Sequence, residues 1–263
     1  SEEEIRAVVA YMRTFCADAD RYPPGDLNFR RLLATGKAFP EKEWVLRVSH
    51  QPPNETRESE IELVYENRLG PRFQYEVEVP LRLQARAPGE GTGLGDLTVS
   101  GKYVQHFDLS SWTILSAGLD VRLPTGSEEQ GLGTGTVRLD PFLAFGKAWL
   151  RGRSILQGRL GAELPTDDDK ADPAAAYAIA FAQALGPPRV AWTPALELVG
   201  TVNFVTGRHD YAVWLETSKA LNKLGHVVAS AGVQIPIRPK DGATRLELYV
   251  LWDFGDGPFW VGW

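Results

Sequence analysis

Cysteine is nearly missing from these 263 residues: Cys16 stands alone, so no internal disulfide can form. Positive charge is in deficit, with a net charge of −6 and no basic stripe, which excludes nucleic acid as a partner. No run of about eighteen apolar residues occurs, so a helical membrane span is excluded. The longest mostly apolar stretch, 174–185, is too short and too rich in alanine. The four histidines, His50, His106, His209 and His226, are scattered without His-x-His or His-x-x-x-His spacing, and no nucleophilic triad is visible. The chain opens at Ser1 with no charged or apolar leader, and the reading below requires one, so an upstream part is expected.

What is present divides into two regions. Residues 1–17 predict a helix: Glu2, Glu3 and Glu4 suit its first turn, and Ile5, Val8, Val9, Met12 and Phe15 share one face. Residues 18–43 are polar and carry Pro23, Pro24, Gly25 and Pro40. They predict a linker, or material packed in or under a barrel, with a short helical turn near Leu27–Leu33 capped by Asp26.

From Trp44 to the end the hydrophobic period becomes two. Between Arg72 and Arg86, Phe73, Tyr75, Val77, Val79, Leu81, Leu83 and Ala85 alternate with mostly charged or amide residues. That alternation outruns a globular strand and exceeds what a tilted strand needs to cross a bilayer. The same pattern recurs at 115–123, 156–164, 227–238 and 246–252. The strands are expected near 44–50, 59–69, 71–86, 95–108, 111–124, 136–149, 152–165, 174–186, 189–203, 209–219, 224–238 and 243–254. Links between them mostly alternate short and long, as periplasmic turns and extracellular loops do in outer-membrane barrels. Gly186-Pro187-Pro188 counts among the tight links. Aromatics at the carboxyl end, Phe259, Trp260 and Trp263, suit a membrane interface. The fold class expected is all-β: a closed antiparallel transmembrane β-barrel of about twelve strands over 44–263, preceded by the helix and linker of 1–43. It would lie in a bacterial outer membrane with both termini periplasmic.

Two stretches carry resemblances. Thr92-Gly93-Leu94-Gly95-Asp96-Leu97, Leu123-Pro124-Thr125-Gly126 and Gly131-Leu132-Gly133-Thr134-Gly135 resemble the outer-membrane family tied to the meta pathway of phenol degradation. That resemblance implies a barrel transporting small, often aromatic molecules, and no catalytic residues. Residues 1–13, with Tyr11, are similar to the last helix of a class I c-type cytochrome. No Cys-x-x-Cys-His occurs, so no haem attaches to this chain through that motif. The similarity leaves open a haem c upstream or on a c-type cytochrome partner, and equally an ordinary amphipathic helix.

Strand parity points one set of charges into the lumen: Arg72, Glu76, Glu78, Arg82, Asp96, Lys102, Asp120, Arg122, Arg138, Asp140, Arg159, Glu163, Glu197, Glu216, Arg238, Arg245 and Glu247. Mixed signs suit cross-lumen pairing, a narrow wet channel or plain solvation. If 18–43 enters the lumen, Arg30 and Arg31 can meet wall carboxylates, and Asp26 a wall arginine. Asp167, Asp168, Asp169 and Asp172 read as a solvated loop rather than a calcium site. No metal and no cofactor are expected in this chain. Three functions remain: a channel for small solutes in contact with outer-membrane lipid, a barrel sheath around an electron-transfer conduit, and, last, a membrane hydrolase.

Overall fold

The computed structural model describes residues 21–52, 57–85, 91–187, 190–240 and 242–263. The helix expected over 1–17 lies outside the described residues. The wall consists of β1 (Glu43–Gln51), β2 (Arg57–Leu69), β3 (Phe73–Ala85), β4 (Gly91–Leu94), β5 (Leu97–Asp108), β6 (Thr113–Leu123), β7 (Arg138–Trp149), β8 (Ser154–Pro165), β9 (Ala174–Gln183), β10 (Trp192–Asn203), β11 (His209–Ala220), β12 (Val227–Arg238) and β13 (Arg245–Asp253). All pairings are antiparallel between neighbours, and β1–β13 together with β2–β3 closes the ring. Both β4 and β5 pair with β3, at Leu81–Gln84 and at Phe73–Glu78. They are therefore one wall strand broken at Gly95–Asp96, and the ring has twelve wall positions.

Every wall strand follows the alternation seen in the sequence. Outward residues are large, aliphatic and exposed, such as Leu46 (48%), Leu63, Leu143, Leu196 and Leu248. That exterior is inverted for a water-soluble protein and matches a wall facing hydrocarbon. At the end of the barrel that holds the carboxyl terminus, Trp44, Trp149 and Trp192 are exposed. At the other end Tyr177 hydrogen-bonds His209 at 2.7 Å, with Tyr211 beside it. Aromatic residues with one polar edge suit both interfaces.

Two links depart from expectation: Gly91–Leu94, expected in a link before a strand at 95–108, is strand β4 paired with β3, and the connection from β9 to β10 is longer than expected. Residues 184–191 form a longer connection than a tight turn at Gly186–Pro188 allows. Leu185 bridges back to Trp192, and the Val190 amide bonds the Pro187 carbonyl. Two consecutive prolines cannot donate ladder hydrogen bonds, so the strands end early on both sides.

Residues 21–42 pack inside the ring. Their one regular element is a 3-10 turn, Gly25–Leu27. Asp26 lies within it rather than capping it; Pro24 occupies the cap position and no side-chain cap bond forms. Leu27, Phe29, Leu32, Ala38 and Phe39 are buried against Val104, Ile114, Ala144, Ala148, Ala180 and Ala182 of the wall. Burying each of the large side chains contributes on the order of 1.5–3 kcal/mol. Here the alanines that make 174–185 unusual find their reason: small inward residues leave room for the internal segment. Two glycines do the same more sharply. A Cβ on Gly146 would lie 2.8 Å from the Phe29 ring, and one on Gly232 would lie 2.4 Å from Leu33.

Gly146→Val is therefore expected to unseat Phe29 and its neighbours in the internal segment while the wall still closes. Trypsin should then cleave after Arg30 or Arg31 in folded barrels, whereas the parent resists.

Candidate functional site

The lumen holds three successive spaces. A cavity of about 430 Å³ opens toward the end carrying the carboxyl terminus. A central one of about 330 Å³ lies beside residues 31–37. A vestibule of about 570 Å³ faces the long loops. The central cavity and the vestibule share a broad border, including Ala34, Asp120 and Arg159. The central and terminal cavities share only Arg31 and Lys37. These two cations stand at the partition of the lumen.

Charge pairing builds that partition. Arg31 pairs with Glu66 and, at 3.4 Å, with Glu43. Lys37 pairs with Glu41 and, at 3.0 Å, with Glu43, and donates to the Asn28 side chain at 3.1 Å. Gln74 donates to Glu66 at 2.8 Å and accepts the Glu41 amide at 2.6 Å. Glu41, Glu43 and Asp253 lie close enough to share a metal ion. The Lys37 ammonium already sits on two of those carboxylates, in the place a metal ion would take.

Wall side chains also satisfy the backbone of the internal segment. Tyr249 donates to the Arg31 carbonyl at 2.6 Å, Gln157 to the Arg30 carbonyl at 2.9 Å, and Lys102 to the Lys37 carbonyl at 2.7 Å. Ser116 donates to the Ala38 carbonyl. At the tip, the Glu197 carboxylate accepts the amides of Leu33 (3.1 Å), Ala34 (3.1 Å) and Thr35 (2.7 Å), and Glu216 also accepts that of Leu33, at 2.9 Å. Carboxylate acceptors give charge-assisted bonds, stronger than neutral ones.

The charges singled out by strand parity take several places. Lys102 and Glu197 hold the internal segment, and Glu76 accepts from Gln74 at 3.2 Å. Glu78 lines both the central cavity and the vestibule. Around the vestibule Arg138 bridges Asp140 (2.8 Å) and Glu163 (3.2 Å), and Arg159 pairs with Asp120 while stacking on Phe142. Arg122 and Arg238 line the same space. Glu247 pairs with Arg47 at 3.1 Å, and Arg82 with Glu60 at 2.7 Å.

Arg72 departs from the expectation. It lies in the turn before β3, donates to the Arg21 carbonyl at 3.2 Å and covers the Phe107 ring. The strand starts one residue later than the alternation suggested, which leaves Arg72 at the rim. Arg31 meets wall carboxylates, but Asp26 forms no ion pair with a wall arginine among the described residues. Lys37, Glu41, Glu43, Glu66 and Gln74 were not singled out. Glu66 and Gln74 sit at inward parity, and that signal would have found them. Lys37 and Glu41 lie in an irregular segment, where parity gives none.

Burial alone would lower the Lys37 pKa, but Glu41 and Glu43 outweigh it and the net shift is upward. A raised pKa in the fold means stabilisation that is complete below the ordinary lysine range and fades as pH rises through the folded value. Lys37→Met leaves the buried Glu41 without its cation and Glu43 with Arg31 alone, and should cost about 3–5 kcal/mol. In thermal unfolding the gap between parent and variant should stay constant from neutral pH to about 10 and narrow above it. A gap that widens at alkaline pH would contradict this assignment.

Comparison with known proteins extends the fold. An outer membrane channel from Pseudomonas putida F1 superposes with a TM-score of 0.63 at 14% identity, covering 85% of this chain and 99% of that one. The KdgM porin, solved in complex with disordered oligogalacturonate, gives 0.56 at 14% identity over 80% of this chain and 99% of its own. The NanC porin gives 0.58 at 8% identity over 80% and 98%. At these identities the likeness is one of fold. No curated protein matches the sequence. The profile of the family described as "Putative MetA-pathway of phenol degradation" matches residues 43–243, from the first strand through the twelfth. With most of the wall inside that match, the chain belongs to this family.

Proposed function

We propose that this chain is an outer-membrane channel for small solutes, with its lumen narrowed by its own residues 21–42. One observation carries the reading: vestibule, central cavity and terminal cavity follow one another along the lumen, the first two sharing a broad border and the last two meeting at Arg31 and Lys37. A sealed structural barrel has no need of a hydrated, charge-lined series of spaces. The porin folds of the relatives support transport over catalysis. In this reading lipid surrounds the wall, both termini face the periplasm, and the vestibule opens outward. That orientation rests on the longest described link, 124–137, at the vestibule end and on the three shortest, 70–72, 109–112 and 150–153, at the other.

The vestibule suggests the solute's character. Inward residues on β8–β11, among them Gly161, Ala176, Ala178 and Ala212, are small and mostly apolar, while paired charges cover the rest. Such a two-sided space suits a small molecule with an apolar face and a polar edge, which includes the aromatic compounds implied by the family. The electron-conduit alternative meets a spatial constraint. Residues 21–42 already fill the lumen, so a cytochrome partner would sit at the periplasmic end rather than within this ring.

Single-channel recording in planar bilayers tests the proposal. The parent should show a small, steady conductance, and a barrel lacking residues 21–42 a severalfold larger one. Failure of that shortened barrel to conduct, with its heat-sensitive compact mobility on gels intact, overturns the channel reading.

A further inference from the structure

The glycine-rich motifs around residues 92–97 and 123–135 are not used by the partition, yet the structure gathers them in one place. Asp96 occupies the break between β4 and β5 and is 3% exposed. Its carboxylate accepts the Gly126 amide at 3.0 Å, the Thr134 amide at 2.7 Å and the Thr134 hydroxyl at 2.8 Å. Thr125 completes the knot: its hydroxyl donates to the Gly95 carbonyl and accepts the Leu97 amide, both at 2.9 Å. Both ends of the intervening loop are thus tied to one wall position. The glycines permit it, since a Cβ on Gly133 would lie 2.4 Å from Asp96 and 2.5 Å from the Gly126 carbonyl.

The middle of the loop turns inward. Leu132 is 2% exposed and rests on Gly93, where a Cβ would come within 2.9 Å. Its carbonyl accepts from Arg82 at 3.1 Å, and that guanidinium also holds Glu60. Along the rim, Glu128 pairs with Lys170 of the next long loop. The segment therefore lies on the lumenal side of the rim, fastened at its ends, its middle and its far edge.

We propose that residues 126–134 form a strap across the barrel mouth that limits the size of solute reaching the vestibule, with Asp96 as its positioning residue. This rests on the channel reading above. Removing the carboxylate frees three donors at once, so the strap is expected to leave the rim and the mouth to widen. The strap acts by occupying space, so its effect is on size exclusion and not on the chemistry of the solute.

Liposome swelling with sugars of increasing size tests this, in a Cys16→Ser background. Asp96→Ala should admit larger sugars than the parent and swell severalfold faster with those at the parent's limit. Leu132→Ala, which leaves Asp96 in place, should shift the limit in the same direction. The Cβ of Gln130 lies 3.2 Å from where a Cβ on Gly91 would be, close to disulfide spacing. Gly91→Cys with Gln130→Cys, added to Asp96→Ala and oxidised, should restore the parent's limit, and dithiothreitol should abolish that rescue. An unchanged limit in both single variants, with folded barrels and a parent that admits small sugars, overturns the strap and leaves the channel standing. A parent and variants that admit no sugar at all overturn both.

Discussion

Everything in this molecule depends on one constraint: hydrocarbon supplies no partner for an unpaired amide or carbonyl. A sheet in that medium must close, and here it does so through β1–β13 and β2–β3. Closure fixes a ring of twelve wall positions and hence the room inside. Every later feature concerns how that room is divided. The outward half of each strand is committed to aliphatic residues, so all the chain's chemistry falls on the inward half and on whatever enters the ring.

The internal segment obeys the same accounting at smaller scale. It has almost no regular secondary structure, so its backbone groups look to the wall for partners. Tyr249, Gln157, Lys102, Ser116 and Glu197 provide them. Apolar packing alone would hold the segment without fixing its register. The polar contacts specify which residue faces which strand, and they place Arg31 and Lys37 between the central and terminal cavities. An unpaired buried group is costly, so these contacts discourage partial or shifted seating.

Much of the wall was legible in the sequence, because period two persists wherever one face meets lipid and the other meets water. The twelve wall positions were legible apart from Gly91–Leu94, which the glycines had marked as a link, and parity supplied the candidate inward charges. The long reading at Arg72 failed because the alternation continued for one residue into a turn. The partition was harder to see. Arg31 was named as a partner for wall carboxylates, but Lys37 and Glu41 sit in a stretch with no period, and only packing decides where they point. The motifs at Gly95–Asp96 and Gly133–Thr134 were recognised as a pattern, whereas their joining across about thirty residues of chain is a fact of the fold. Alanine richness in β9 looked like a composition quirk until Phe29 and Phe39 were found opposite that side of the wall.

That alanine-lined sector has a geometrical consequence. The apolar side of the internal segment leans on β5–β9, while the central cavity is bordered chiefly by charged and polar residues of β1–β3, β5, β6 and β13. The central space is therefore a crevice between a largely charged wall and the main chain of residues 31–37. A crevice discriminates by thickness more than by volume. For the proposed channel, such a gap would favour flat molecules over compact ones of equal mass.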